Sequence, residues 1–144
     1  MLKLLLAVVF LALAWGVWGP PIPGGSSSRR QVAQSDINNF AAAIRRFRAD
    51  CGYYPTNLEI TARAVNYQEM SDGSNVLTKR PATIPESVWR GPYLDERSSW
   101  NDPWGRPYVY GCPGKHNPDS FDIYSLGPNG NGGAEAIGNW AEPH

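Results

Sequence analysis

The chain has 144 residues, with 13 basic and 13 acidic side chains. A net charge of zero provides no electrostatic footprint for nucleic acid or for an acidic surface, so neither is predicted as a partner. A chain of this length buries one modest core. Its 15 Gly and 13 Pro, together with 6 Trp and 7 Tyr, predict a loop-rich domain that is packed with aromatic rings.

The N-terminal segment has the pattern of an export signal. Residues 4–18 are all apolar or Gly, and Lys3 carries the one charge before them. We therefore interpret residues 1–18 as a signal peptide or an N-terminal membrane anchor, residues 19–27 as a Pro/Gly/Ser linker, and residues 28–144 as a globular domain. Ala12 and Ala14 form a small-x-small pair, so cleavage after Ala14 and retention as an anchor both stay open. Either alternative carries the domain across a membrane.

The two cysteines suit an exported domain. The number of cysteines is even, so Cys51 and Cys112 can pair in a compartment where disulfides persist. The sequence around them lacks the spacing of metal ligands. A bond between them would close a loop of about 60 residues, for which chain entropy predicts a stabilisation on the order of 4 kcal/mol. The sequence predicts this disulfide, with two separate buried thiols as the alternative.

A long helix is predicted after the linker. Ser28 and Gln31 form a capping-box pattern, which predicts a helix start, and Gly52 with Pro55 predicts its end. Apolar residues recur between these points at three- and four-residue steps: Ala33, Ile37, Phe40, Ala41, Ile44, Phe47 and Cys51. This spacing predicts one buried face.

Two less regular segments follow. Thr56 and Glu59 form a second capping-box pattern, which predicts a short helix over roughly residues 57–69. Residues 71–87 contain Gly73, Pro81 and Pro85 without sustained periodicity, so a long surface loop is predicted there.

In residues 108–112 and 121–124 the side chains alternate between two faces with a period of two. This alternation predicts two strands. Gly and Pro residues between them predict an antiparallel pair joined by a loop. The fold class is therefore α+β, with a long N-terminal helix packed on a small antiparallel sheet.

Several short blocks carry a resemblance to a known family. They are Gly-Tyr-Tyr-Pro-Thr at 52–56, Trp-Arg-Gly-Pro-Tyr-Leu at 89–94, Asp-Pro-Trp-Gly-Arg-Pro-Tyr at 102–108, Cys-Pro-Gly at 112–114, Phe-Asp-Ile-Tyr-Ser-Leu-Gly at 121–127, and Ile-Gly-Asn-Trp at 137–140. In this order they resemble the C-terminal globular domain of the major pseudopilins of type II secretion systems. The resemblance implies a pilin-like fold and a non-enzymatic role, because family members assemble into a short periplasmic fibre that helps to export folded proteins.

The resemblance also implies partners and a location. We expect other secretion-system or envelope proteins and self-association as partners, without nucleic acid. The location is the periplasmic side of a bacterial envelope, either soluble or anchored to the inner membrane if the N-terminal segment is retained. The prepilin-peptidase pattern of the family is absent from the sequence, and Pro20, Pro21 and Pro23 interrupt the long helix that family members continue into the membrane. A setting outside the usual fibre is therefore an open alternative.

A calcium site is a further implication of the resemblance. Family members bind calcium in the loop after their last long strand, and the corresponding ligands here are the carbonyl of Leu126 with the side chains of Asn129, Asn131 and Glu135. Glu135 alone is charged, so this is a degraded version of the site. The alternative is a Gly-rich turn that holds itself without metal.

The sequence also bears on two other function classes, a ligand-binding module and an enzyme. A periplasmic ligand-binding module would use the same fold and present exposed aromatic rings. An enzyme is not expected, because His116 and His144 are the two histidines and the sequence contains no nucleophile, zinc or phosphate-binding motif of a known type.

Overall fold

Helix α1 spans Ser26–Cys51 in the computed structural model, which describes residues 25–56, 68–69 and 75–140. The helix begins two residues before the predicted start, so the capping-box prediction at Ser28 was wrong, and the helix includes the last two residues of the predicted linker. Gly25 is the N-cap with extended backbone, and no side chain caps it. Ser28 instead donates its N–H to the Gly25 carbonyl at 3.0 Å, which places it within the first turn.

The predicted end of α1 is confirmed. Gly52 adopts a left-handed conformation, with φ of 84°, and its N–H donates to the Arg48 carbonyl at 2.8 Å. A residue with a Cβ adopts this conformation at a cost, so glycine is the favoured terminator.

The apolar face of α1 is buried as predicted, with Cys51 half-buried at its end. Ile37, Ile44 and Phe47 have no exposed surface, and Ala43 is also buried. Among residues 25–56, 68–69 and 75–140, no helix combines the length with the apolar character that membrane crossing requires. The predicted signal or anchor at 1–18 lies outside the described residues.

The sheet contains four short antiparallel strands in the order β1-β2-β3-β4: β1 at Gln68–Glu69, β2 at Val109–Gly111, β3 at Asp122–Ser125 and β4 at Ile137–Gly138. In the predicted pair, β2 and β3 align Tyr110 with Ile123, and α1 packs against β3 and β4. The predicted α+β architecture, a long helix packed on a small antiparallel sheet, is therefore confirmed. Strands β1 and β4 were not predicted because each has two residues, too few for a period to show.

Two local predictions need correction. Most of the short helix predicted over 57–69 lies outside the described residues, but its last two residues form β1, since Gln68 pairs with Tyr110. The predicted surface loop at 71–87 contains buried residues, because Val76 and Leu77 lie in the core. Asn75 is also buried, and its side-chain oxygen accepts the Leu77 N–H at 2.9 Å. A turn closed by its own side chain can thus be buried without losing hydrogen bonds.

Aromatic rings from the loops extend the core around α1. Phe40 stacks on Trp100 with ring centroids 5.3 Å apart and meets the edge of Tyr108 at the same distance. The buried Tyr108 hydroxyl donates to Asp36 at 2.8 Å. Burial and this carboxylate raise the pKa of Tyr108 above its usual value, so the hydroxyl stays a donor at physiological pH.

Phe47→Ala tests how far the core depends on α1. Since Phe47 is fully buried and meets the edges of Tyr53 and Tyr93, we expect a loss of about 3–5 kcal/mol in the free energy of unfolding. Val32→Ala, at a position 49% exposed on the same helix, should change it by less than about 0.5 kcal/mol. Urea unfolding followed by circular dichroism measures both variants. Equal effects would contradict the packing of this helix.

Candidate functional site

The loop after β3 contains the four predicted calcium ligands. The Leu126 carbonyl accepts the Gly132 N–H at 3.0 Å, and the Gly127 carbonyl accepts the Gly130 N–H at 3.1 Å. A short 3-10 helix at Gly133–Glu135 then leads into β4. The loop is therefore organised by its own backbone hydrogen bonds.

Arg106 extends into this loop from another part of the chain. Its Nη1 donates to the Gly127 carbonyl at 3.0 Å and to the Pro128 carbonyl at 3.3 Å. A positive charge is therefore already directed at the carbonyl oxygens of the predicted calcium loop. Sequence reasoning missed this residue, because Arg106 is 21 positions from Gly127 and no local pattern connects the two.

Asp102 fixes the turn from which Arg106 extends. Its Oδ1 accepts the N–H groups of Trp104 and Arg106, each at 3.0 Å, and its backbone N–H donates to the Arg106 carbonyl at 2.7 Å. Its Oδ2 accepts the Ser125 hydroxyl, whose oxygen in turn accepts the Gly127 N–H at 3.0 Å. The Asp-Pro-Trp-Gly segment at 102–105 forms a turn, in which the Gly105 N–H donates to the Asp102 carbonyl at 2.9 Å, and the buried Asp102 carboxylate joins this turn to the loop.

The remaining predicted ligands do not complete a calcium site. Asn129 and Asn131 are exposed and Glu135 is half-buried. Within the described parts of the chain, no three His, Cys, Asp or Glu side chains lie close enough to hold a metal ion. Calcium favours several carboxylate and carbonyl oxygens. Here the predicted set offers one carboxylate, and a guanidinium lies against the neighbouring Gly127 and Pro128 carbonyls, so the residues present do not fit this ion.

A second buried carboxylate organises the loop between β2 and β3. The Asp122 side chain has no exposed surface, and its oxygens accept the backbone N–H groups of His116 at 2.8 Å and Asn117 at 3.1 Å. The Asn117 amide donates at 2.9 Å, and His116 Nδ1 lies 3.1 Å away. Burial raises the pKa of Asp122, but these hydrogen bonds outweigh it, and the pKa lies below its usual value.

A shallow cavity of about 480 Å³ lies beside this cluster, lined by Lys115, His116, Tyr124, Gly133, Ala136 and Trp140. The Trp140 ring stacks on His116 with centroids 3.9 Å apart and meets Tyr124 at 5.4 Å. The faces of the Trp140 ring are thus used for packing within the domain. His116 interacts with Asp122 and Trp140, an arrangement that holds the loop.

Cys51 and Cys112, the two residues of the predicted disulfide, are both half-buried. The Cys112 sulfur lies 3.6 Å from the Ser120 carbonyl. Burial raises the pKa of Cys112, which lowers the reactivity of its thiol. Pairing in an oxidising compartment stays a prediction.

Comparisons with known proteins agree with the fold. Residues 22–140 match the family described as "Type II secretion system (T2SS), protein G". The chain is 31% identical to the type II secretion system core protein G of Pseudomonas aeruginosa, over 97% of this chain and 92% of that protein. It is 30% identical to the protein of the same name from Pectobacterium carotovorum subsp. carotovorum, over 97% of this chain and 81% of that protein.

A solved structure is also similar. The crystal structure of the major pseudopilin from the type 2 secretion system of enterohaemorrhagic Escherichia coli superposes with a TM-score of 0.54 and 29% identity. The match covers 79% of this chain and 88% of that chain. Fold and sequence therefore point to the same family.

Asp122→Asn tests the buried carboxylate. The lowered pKa of Asp122 means that its contribution is complete above the unfolded pKa, near 3.8, and is lost as the pH falls through the lower folded value. At pH 7 we expect the variant to lose about 2 kcal/mol of unfolding free energy, because hydrogen bonds to a charged acceptor are strong. Below about pH 4 the difference from the wild type should shrink.

Asp119→Asn is the matched control, since Asp119 is exposed in the same loop. This variant should follow the wild-type stability profile between about pH 7 and pH 2.5. Urea unfolding at each pH gives the measurement. A gap between Asp122→Asn and the wild type that stays constant with pH would contradict a charged Asp122 in the folded state.

Proposed function

The chain belongs to the type II secretion system protein G family, and from that membership we propose that it acts as a structural subunit of a type II secretion apparatus, with its domain on the periplasmic side of the envelope. The family is that of a pseudopilin, a structural protein and not an enzyme. The single observation that carries the proposal is the family match over residues 22–140, together with the shared pseudopilin fold.

The alternative of a ligand-binding module has less support. The aromatic rings that it would need are engaged inside the domain: Trp100 stacks on Phe40, and Trp140 stacks on His116. Trp89 donates its indole N–H to the Val76 carbonyl at 2.9 Å. Rings held in this way contribute to the core and leave little free face for a sugar or a peptide.

The N-terminal segment belongs to the proposal as well. The similarity to the Pseudomonas aeruginosa protein covers 97% of this chain, so it extends beyond the globular domain into the apolar segment at 1–18. The domain is held at the inner membrane if this segment is retained, and it is released into the periplasm if cleavage follows Ala14.

Self-association and contact with other secretion subunits are the proposed interactions. Val32 is a large apolar residue on α1 that is 49% exposed, whereas the apolar stripe of the helix is buried. A position of this kind suits contact with a helix of another subunit, since burial of an exposed apolar side chain favours association.

Affinity purification of the tagged full-length chain from a detergent-solubilised envelope tests the proposed partners. We expect other type II secretion subunits to be enriched, as measured by mass spectrometry. Val32→Asp should reduce their recovery several-fold, because it places a carboxylate in the apolar contact. Ser35→Asp adds the same charge at another exposed position of α1 and should have less effect. Recovery of no secretion subunit with the unaltered chain would contradict the proposal.

The intact mass of the envelope-purified protein, measured without reduction, tests the export and disulfide predictions. A mass that begins after Ala14 identifies a released domain, and a mass that retains residues 1–18 identifies an anchored one. We expect Cys51 and Cys112 to resist alkylation until a reductant is added, as a disulfide requires. Alkylation of both residues in unfolded but unreduced protein would contradict the bond.

A further inference from the structure

The guanidinium of Arg106 lies among the carbonyl oxygens of the loop after β3. Its two contacts with the Gly127 and Pro128 carbonyls come from one nitrogen, at 3.0 and 3.3 Å. Carbonyl oxygens that converge on one point create a negative potential that favours a cation. In this loop the cation is the Arg106 guanidinium, which is part of the chain itself.

The loop is closely fitted to this side chain. Gly130 has a φ of 72°, and a Cβ built on it would lie 2.6 Å from Arg106 Nε and 2.8 Å from Cζ. A side chain at position 130 would therefore collide with the guanidinium. The close approach of backbone and guanidinium requires glycine at this point.

Arg106 is also held at its own backbone. The Asp102 carboxylate accepts the Arg106 N–H, and through Ser125 it reaches the Gly127 N–H. The 102–106 turn and the loop after β3 are consequently joined twice, once by the Asp102 carboxylate and once by the Arg106 guanidinium. The turn fixes the Arg106 backbone, and the planar guanidinium loses less freedom per hydrogen bond than a lysine ammonium would.

A divalent cation bound in this loop would lie near the charge of Arg106, and like charges repel. The carbonyl ligand that the resemblance implies, that of Leu126, accepts the Gly132 N–H, while Arg106 contacts the adjacent Gly127 and Pro128 carbonyls. Glu135 is the one carboxylate among the four predicted ligands, which is too little negative charge to offset two cations.

We propose that Arg106 acts as an internal cation, which holds the loop at residues 126–133 in place of the calcium ion that the resemblance implies, so that this domain folds independently of calcium. The guanidinium satisfies the carbonyls permanently. The order of the loop then depends on the folding of the 102–106 turn and not on the ion content of the surroundings.

Thermal unfolding of the full-length protein, with excess calcium and with excess chelator, gives the first test. The wild-type Tm should be the same in both, because no bound ion is lost. A Tm that falls in chelator and is restored by calcium would overturn the proposal. The same pair of measurements applies to each variant below.

Arg106→Met removes the charge and keeps a long side chain. We expect its Tm to fall by roughly 5–10 °C, since carbonyl oxygens lose their charged donor in a small domain. Arg97→Met is the matched control, because Arg97 is exposed and its side chain is 92% accessible. Its Tm should stay near the wild-type value. Equal Tm values for the two variants would overturn the proposal.

Arg106→Lys covers the case in which Arg106→Met does not fold. Lysine keeps the positive charge but loses the planar fork, so its Tm should lie between those of the wild type and the Met variant, with no response to calcium. If the Lys variant is as unstable as the Met variant, a positive charge is not what holds the loop, and the proposal fails. A Tm of the Lys variant that rises with calcium would also count against it.

Discussion

The buried face of α1 sets the main constraint on this domain. A helix of 26 residues carries a long apolar stripe, and the sheet that faces it has strands of only two to four residues. So small a sheet cannot cover the stripe by itself. Loop residues must complete the core, which is why Leu77, Ile84 and Tyr93 are buried although they belong to no helix or strand.

Covering a core with loops raises the question of where their backbone hydrogen bonds go. In this domain, buried polar side chains replace the ladder that a larger sheet would provide. Asp102, Asp122 and Asn75 each accept backbone N–H groups from their own turns. A buried carboxylate that accepts several N–H groups is satisfied in place. At Asp122 these hydrogen bonds also lower the pKa. These side chains therefore fix the shape of the loops and satisfy backbone N–H groups that burial removes from water.

Features of this fold that depend on local interactions could be predicted from the sequence, and features that depend on distant partners could not. The stripe from Ala33 to Phe47 and the termination at Gly52 follow from local spacing and backbone conformation, and both were predicted. The helix start was not, because Gly25 caps α1 without a side-chain bond and leaves no capping signal. Strand β1 depends on pairing Gln68 with Tyr110, a partner that the local sequence does not specify.

The candidate site shows the same limit more sharply. The loop composition and the position of Glu135 were visible in the sequence, and a resemblance could assign ligand roles to them. The cation that contacts this loop comes from Arg106, whose role depends on a fold that brings residue 106 beside residues 127 and 128. The contact joins residues that are far apart in the chain, so it is visible only in three dimensions. A ligand set transferred residue by residue assigns roles within the loop but does not reveal the guanidinium that the fold brings to it.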